Sequence, residues 1–290
     1  MSNEIETHRV QRYTDGITLL AQQKMSRLRN RVRVESGVKA KISFFDQIGL
    51  TTMTEKTTRH SDTPLIEIPH RRRAVILKFY HTADLIDGKD INQVLNEPAG
   101  AYGMTMASAA GRTIDNEIIG AALATSKTGE DGTGTAPFVT ATHQIVHGSD
   151  PLTIGKVLAA KRILDGSEVP RDQTRHAVVT SKQIEDMLNT TEVASSDFNT
   201  VKALAQGSIS SYCGFEFEQT ELVNAVAGSP TVRACLFYAQ NSLLLAIGLD
   251  IRGRVSERDD KDYSTQVYYS MRVGATRMDE DGVVEVQCQE

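Results

Sequence analysis

Four groups of residues have types and spacings that could do chemistry. The first is TGEDGTGT, residues 128–135, a glycine-rich stretch of the kind whose backbone N–H groups cradle phosphate. A P-loop ends in Gly-Lys-Ser/Thr, whereas here Gly134 is followed by Thr135 and Ala136, and Lys127 stands on the wrong side. A dinucleotide fingerprint needs a further glycine where Pro137 stands. Turn chemistry accounts for these residues as a surface loop.

The second group is His143, His147 and Asp150. On a helix the two histidines would share a face and could hold one metal ion. The β-branched residues of FVTATHQIVHG (138–148) predict a strand instead, in which positions four apart lie about 13 Å apart. The expectation is two partly exposed histidines and no metal.

The third group is acidic and nucleophilic. Asp115, Glu117, Glu130 and Asp131 can be drawn as paired carboxylates, but acids on helix faces and loop tips are expected to be solvated. A GxSxG nucleophile elbow is absent. Cys213, Cys235 and Cys288 have no neighbouring motif that would lower a thiol pKa. Their odd number and wide spacing speak against a disulfide framework or a metal knuckle, and for synthesis in a reducing place. No catalytic constellation, metal site or cofactor is expected, so the chain is not read as an enzyme.

The fourth group is basic: Arg27, Arg29, Arg31 and Arg33, then Arg71, Arg72 and Arg73. No helix-turn-helix, zinc-finger, RRM or KH signature accompanies them, which argues against sequence-specific reading of nucleic acid. Non-specific attraction to a polyanion needs only charge.

These residues sit in a chain of 290, with 40% apolar and 24% charged side chains, a folded composition long enough for a good core. The net charge of −5 is uneven: the first 41 residues hold nine basic and four acidic side chains, +5, which leaves −10 for the rest. A basic arm on an acidic body suits contact with polyanion or docking on another copy. The polar start MSNEIETHRV has no signal-peptide run, and no segment reaches the ~18 apolar residues of a membrane span, so synthesis in the cytoplasm without membrane contact is expected.

The spacing of Ile17, Leu20, Met25 and Leu28 predicts an amphipathic helix over 15–34 that runs into a basic strand. KAKISFFDQIGLT (39–51) and RRAVILKFYHT (72–82) read as strands. The polar stretch between them is too long for a connection inside a compact domain, so a projecting hairpin ordered from outside the subunit is expected. Tyr102, Met106, Ala109, Ile114, Ile118 and Leu123 predict a long helix over 97–125, with Asn96 as its cap, Pro98 in its first turn, and Gly103, Gly111 and Gly120 permitting bends or close approach.

Further on, Asp150 and Pro151 predict a helix start, with Leu152, Val157, Leu158 and Leu164 buried and a stop at Gly166. HAVVTS reads as a strand, SKQIEDMLN as a helix after Ser181, and 197–206 as another helix; SISSYCGFEFEQTELV reads as extended. ACLFYAQNSLLLAIGLDI is helix or strand. Residues 265–289 predict a hairpin that turns over residues 279–282. The order of elements lacks βαβ alternation, and the fold class expected is α+β.

Along HRRRAVILKFYH, alternation puts His70, Arg72, Ala74, Ile76, Lys78 and Tyr80 on one face and Arg71, Arg73, Val75, Leu77, Phe79 and His81 on the other. Both faces begin basic and become apolar, which predicts a strand anchored at its end and projecting at its start. The three arginines are expected to meet acids of a neighbouring subunit, with Glu257, Asp259, Asp260 and Asp262 and the acids at 279–281 available.

The basic arm, the long hairpin, HRRRAVILKFYHTADLIDGKDI, the helix with GRTIDNEIIGAALA, the glycine-rich loop and the closing YSMRVGATRMDEDGVVEV together resemble the major capsid protein of tailed double-stranded DNA bacteriophages. That fold is shared with nanocompartment shells and herpesvirus shell floors. The resemblance implies an N-arm (1–40), an E-loop hairpin (41–80), a P-domain with a spine helix (81–148 and 264–290) and an A-domain (149–263). It implies pentamers and hexamers closing an icosahedral shell around the genome in a virion assembled in the host cytoplasm, with portal, scaffolding or decoration proteins as further partners. Arg71, Arg72, Arg73, Lys56, Arg59, Arg29, Arg31, Arg33, Glu257, Asp259 and Asp260 are the inter-subunit residues this reading selects. Lys56 lies where some members carry a cross-linking lysine, but no pattern matches its partner, and that activity is not carried over. A nanocompartment shell around cargo enzymes is the alternative within the fold. A small-molecule enzyme built on 126–150 with His143 or His147 is the alternative outside it.

Overall fold

The computed structural model describes residues 22–59, 62–63, 65–86, 99–189 and 211–290. The expectations for residues 1–21, for Asn96 and Pro98 as a helix start, and for a helix over 197–206 lie outside the described residues. The chain runs through β1 (Arg33–Ser36), β2 (Ile42–Ile48), β3 (His70–Ile76), β4 (Lys78–Ile86) and the long helix α1 (Ala99–Leu123). It continues with β5 (Ser126–Thr128), β6 (Gly134–Ala136), the one-turn α2 (Thr140–His143), β7 (Gln144–Ile145), α3 (Ile154–Gly166), β8 (Arg175–Val179) and α4 (Ser181–Asn189). Then come β9 (Ser211–Tyr212), β10 (Phe215–Gln219), β11 (Ala225–Val226), β12 (Ser229–Ala239), β13 (Leu243–Arg258), β14 (Ser264–Arg277) and β15 (Val283–Gln289). The architecture is α+β.

The strands form three sheets. One has the order β1-β13-β14-β4, antiparallel except for the parallel pair β1 and β13. A second, β2-β3-β5-β6, carries the projecting hairpin, in which Ile42 pairs with Ile76 and Ile48 with His70. The third is β7-β15-β12-β8-β10-β9, with β11 paired to β12. Strand β12 is buried on both faces. Cys235, Phe237 and Ala239 meet α3 and α4 in one core, while Leu236 and Tyr238 meet α1 and the first sheet in another. That double burial explains why ACLFYA is continuously apolar and carries no readable period.

Helix α1 lies on the first sheet because Ile114, Ile118, Ile119 and Ala122 recur at the helical period and pack on Leu243, Leu245, Met271 and Val273. Its 25 residues make it about 37 Å long. Tyr102, expected on the apolar face, is exposed.

Several expectations are corrected. The last two strands are not a hairpin: β14 lies between β13 and β4, whereas β15 lies between β12 and β7 in another sheet. The acidic turn at 279–282 is a crossover, and a Cβ on Gly282 would overlap Ser242 Oγ. RRAVILKFYHT is not one strand: Leu77 separates β3 from β4, and the chain changes sheet there. Within the described part of the predicted amphipathic helix, residues 29–31 form only a 3-10 turn, because the Arg27 and Leu28 N–H groups bond to a side chain of α1 instead of to the backbone. Helix α3 begins at Ile154 with Thr153 as its cap, whose hydroxyl accepts Lys156 N–H, so Asp150 and Pro151 lie ahead of it; Leu158 faces solvent. Segment 138–148 holds α2 and only a two-residue strand, and His143 is buried, not partly exposed.

Candidate inter-subunit surfaces

The hairpin of β2 and β3 is held at its root and bare at its tip. Arg73 is buried there: its Nη2 donates to Glu280 and its Nε to Met278 O at 3.2 Å. Arg72 pairs across the hairpin with Asp46 at 2.7 Å and lies over the Phe44 ring. That carboxylate raises the Arg72 pKa above its ordinary value. Arg71 is exposed and makes no ion pair among the described residues. The three neighbouring arginines therefore have three different surroundings. Two are satisfied within the subunit, and Arg71 is left to face outward beside a cleft of about 950 Å3 lined by His70, Thr128, Gly129 and Glu130.

Beyond the paired part, Leu50 is 94% exposed, Met53 99% and Leu65 96%. Three large apolar side chains left almost fully exposed on one loop make it a candidate contact surface. Lys56 and Arg59 sit on the same loop, exposed, with no ion pair among the described residues.

The basic arm is fastened by a residue that sequence patterns placed in solvent. Asp115 of α1 is fully buried. Its carboxylate accepts Ser26 Oγ–H, Arg27 N–H at 3.0 Å, Leu28 N–H at 3.1 Å and the Gln23 amide. Gly111, one turn earlier, lets the arm approach: a Cβ there would lie 2.7 Å from Ser26 N and 2.8 Å from Met25 C. Leu28 and Val32 then enter the core. A signal was present, since Asp115 shares the helical stripe of Gly111, Ile118 and Ala122, where an acid must find donors.

Three of the arm arginines are neutralised within the chain, while Arg27 donates to the Gln219 carbonyl. Arg29 pairs with Asp250 at 2.7 Å, Arg31 with both Glu216 and Glu218, and Arg33 with Glu35 at 2.6 Å. The Arg29 hydrogen bond holds the Asp250 carboxyl below its ordinary range. His176 lies beneath Arg31, 98% buried, with neither ring nitrogen hydrogen-bonded. Burial, with the Arg31 charge adding to it, pushes its pKa down to about 4.

Glu257, Asp259 and Asp260 are exposed at the far tip of the β13–β14 hairpin, where Asp260 is paired with Arg258. No ion pair joins them to Arg71, Arg72 or Arg73 among the described residues. The histidines do not form a site: His143 Nε2 is 3.6 Å from Asp281, His147 Nδ1 accepts Ser149 N–H, and no metal-binding cluster occurs among the described residues.

Two further residues went unread in the sequence. Fully buried Arg277 donates to Ala122 O at 2.6 Å, Ala124 O at 2.9 Å and Ala136 O at 3.2 Å, so a cation terminates α1 and ties it to β6. Lys156 spends its ammonium on His147 O, Asp150 O and Gln287 O. Neither position has a sequence neighbour that announces such a partner.

A family model described as phage capsid protein matches residues 5–290. No curated protein matches the chain. Among solved structures, the chain is similar to one from the capsid of the cyanophage P-SCSP1u, with a TM-score of 0.75 and 16% identity over 99% of this chain and 96% of that one. It is similar to a chain of Mycobacterium phage Che8 at TM-score 0.72 and 15% identity, covering 96% and 97%, and to one from the capsid of Ralstonia phage GP4 at 0.72 and 11%, covering 97% and 96%. At such identities the likeness is one of fold.

Proposed function

The chain belongs to the phage capsid protein family, and from that premise we propose that its chemistry is assembly: many copies join through the hairpin tip, the Arg71 cleft and the arm. It is a major capsid protein, a structural protein of the phage head shell, and its place is the virion. The observation that carries the assembly reading is the contrast within the hairpin. Its root is satisfied by Asp46, Glu280 and Met278, while its tip presents Leu50, Met53 and Leu65 to nothing in the subunit.

The hairpin tip and the surface that receives it are different patches of one chain, so contacts between copies are head-to-tail and generate rings where the rotation closes. On the capsid reading these rings are the pentamers and hexamers of an icosahedral shell, and many modest contacts add by multivalency. We assign 1–40 as the N-arm, 41–80 as the E-loop, 81–148 with 264–290 as the P-domain and 149–263 as the A-domain. Portal, scaffolding or decoration proteins and the genome are the further partners of such a shell, assembled in the host cytoplasm.

Electron microscopy and sedimentation of the purified full chain test this reading. Closed shells are expected; a chain that stays monomeric under all conditions, or forms only a small closed dimer, overturns it.

A further inference from the structure

Helix α1 covers one face of the first sheet, and register fixes which side chains lie on the other. Tyr269, Met271 and Val273 of β14 face α1 or its core, as do Lys78 and Tyr80 of β4, both bonded to Glu117. The alternate positions therefore face away. They are Tyr268, Ser270 and Arg272 on β14, Arg252 and Arg254 opposite them on β13, and Phe79 and His81 on β4. His81 stacks between Phe79 and Tyr268, at centroid distances of 6.0 and 6.4 Å.

The unpaired charges on this face are of one sign, since Glu35 of β1, which faces the same way in register with Ala246, is held by Arg33. Arg252 pairs in register with Ser270 and Arg254 with Tyr268, so the two arginines stand side by side, about 7 Å apart along β13. Both are exposed, and neither has an ion pair among the described residues. Asp250, two residues earlier, is already held by Arg29, and Arg258, further along the strand, by Asp260. Arg272 spends one N–H on Ala40 O at 3.2 Å and keeps its charge. The contrast with the arm is sharp, since Arg29, Arg31 and Arg33 are each neutralised by a carboxylate.

We propose that this open face of the β1-β13-β14-β4 sheet, through Arg252, Arg254 and Arg272, is where the subunit contacts the phosphate backbone of double-stranded DNA, and that the paired arm residues Arg29, Arg31 and Arg33 are not. A duplex presents one negative charge about every 1.7 Å of its axis, so a surface whose unpaired charges are all cations meets it in any register and without base reading. Tyr268, Ser270 and His81 add polar contacts between the cations. The genome as the source of that duplex rests on the capsid reading.

The test is duplex binding by the full-length protein before assembly, titrated against salt, for the wild type, for Arg252→Ala with Arg254→Ala, and for Arg29→Ala with Arg33→Ala. Removing two phosphate contacts is expected to reduce the slope of log affinity against log salt by about 2, alike for different sequences. The arm variant is expected to keep the wild-type slope. Shell assembly, read by sedimentation, is expected to be the same for the wild type and the sheet variant. An unchanged slope for the sheet variant, or a loss confined to the arm variant, overturns the proposal. Loss of shells with DNA binding intact also overturns it, and identifies the face, with exposed Phe79 and Leu85 at its edge, as a contact between copies. A wild type that forms no shells overturns the capsid reading and leaves the duplex measurement standing.

Discussion

Leu28 and Asp115 are 87 residues apart in sequence, yet the Leu28 N–H donates to the Asp115 carboxylate at 3.1 Å, and both residues are fully buried. One acid on α1 thus substitutes for the helix that the arm's apolar spacing predicts. It takes the backbone donors that a helix would have used and fixes where the arm leaves the body.

Asp115→Ala leaves those donors buried without an acceptor, and a loss of roughly 3 kcal/mol in unfolding free energy is expected. Denaturant unfolding measures the loss. Trypsin reports its location: cleavage after Arg27 and Arg29 is expected to precede cleavage of the body, and uniform resistance would show that the arm is held by Leu28 and Val32 alone.

Two glycines of α1 are expected to respond with opposite signs. Gly120 has open space where a Cβ would stand, so Gly120→Ala is expected to gain about 1 kcal/mol of helix propensity. Gly111→Ala pushes into the Met25–Ser26 backbone and is expected to lose about 2 kcal/mol despite the same propensity gain. Thermal unfolding of the unassembled subunit decides both.

The arginines of β3 separate by role. Arg73→Ala strands Glu280 in a largely buried site and is expected to cost about 3 kcal/mol of subunit stability. Arg71→Ala is expected to leave unfolding unchanged and to weaken shell formation. Equal effects of the two on unfolding would contradict this division.

Acid sensitivity is expected from His176. Its folded pKa, about 4, lies below the ordinary 6.5, so the folded state resists a proton that the unfolded chain accepts. Its contribution is fully present above pH 6.5 and is lost as pH falls toward 4, to the extent of about 3 kcal/mol. His176→Gln is expected to flatten the stability profile between pH 6.5 and 4. A profile parallel to the wild type would assign the acid loss to carboxylates instead.

What could be read from sequence follows the range of the interactions. Helix α1, the β2–β3 hairpin and α4 are set by local period and turn chemistry, and all three are present, although the returning strand of the hairpin ends at Ile76 instead of running on to residue 82. The closing segment shows the limit. Alternation and an acidic turn specify two strands and a reversal, but whether β14 and β15 pair with each other depends on β12 and β13, far back in the chain. Arg73 shows the same limit at the candidate site. Its position in a basic run suggested a neighbouring subunit, and the partner that neutralises it, Glu280, lies 207 residues away. At the tip the length of the polar connection was the legible signal, whereas the exposed Leu50, Met53 and Leu65 within it carried none.

The crossover at residues 279–282 also governs timing. Strands β14 and β15 come last among the strands, yet each lies inside its sheet rather than at an edge. On the ribosome, β4 must wait for β14, and β7 must wait for β15, so the first sheet is not complete until residue 277 has emerged, nor the third until residue 289. Such late, long-range pairing folds slowly. A growing chain therefore cannot present a finished subunit to its neighbours, and synthesis itself delays shell growth until whole copies are released.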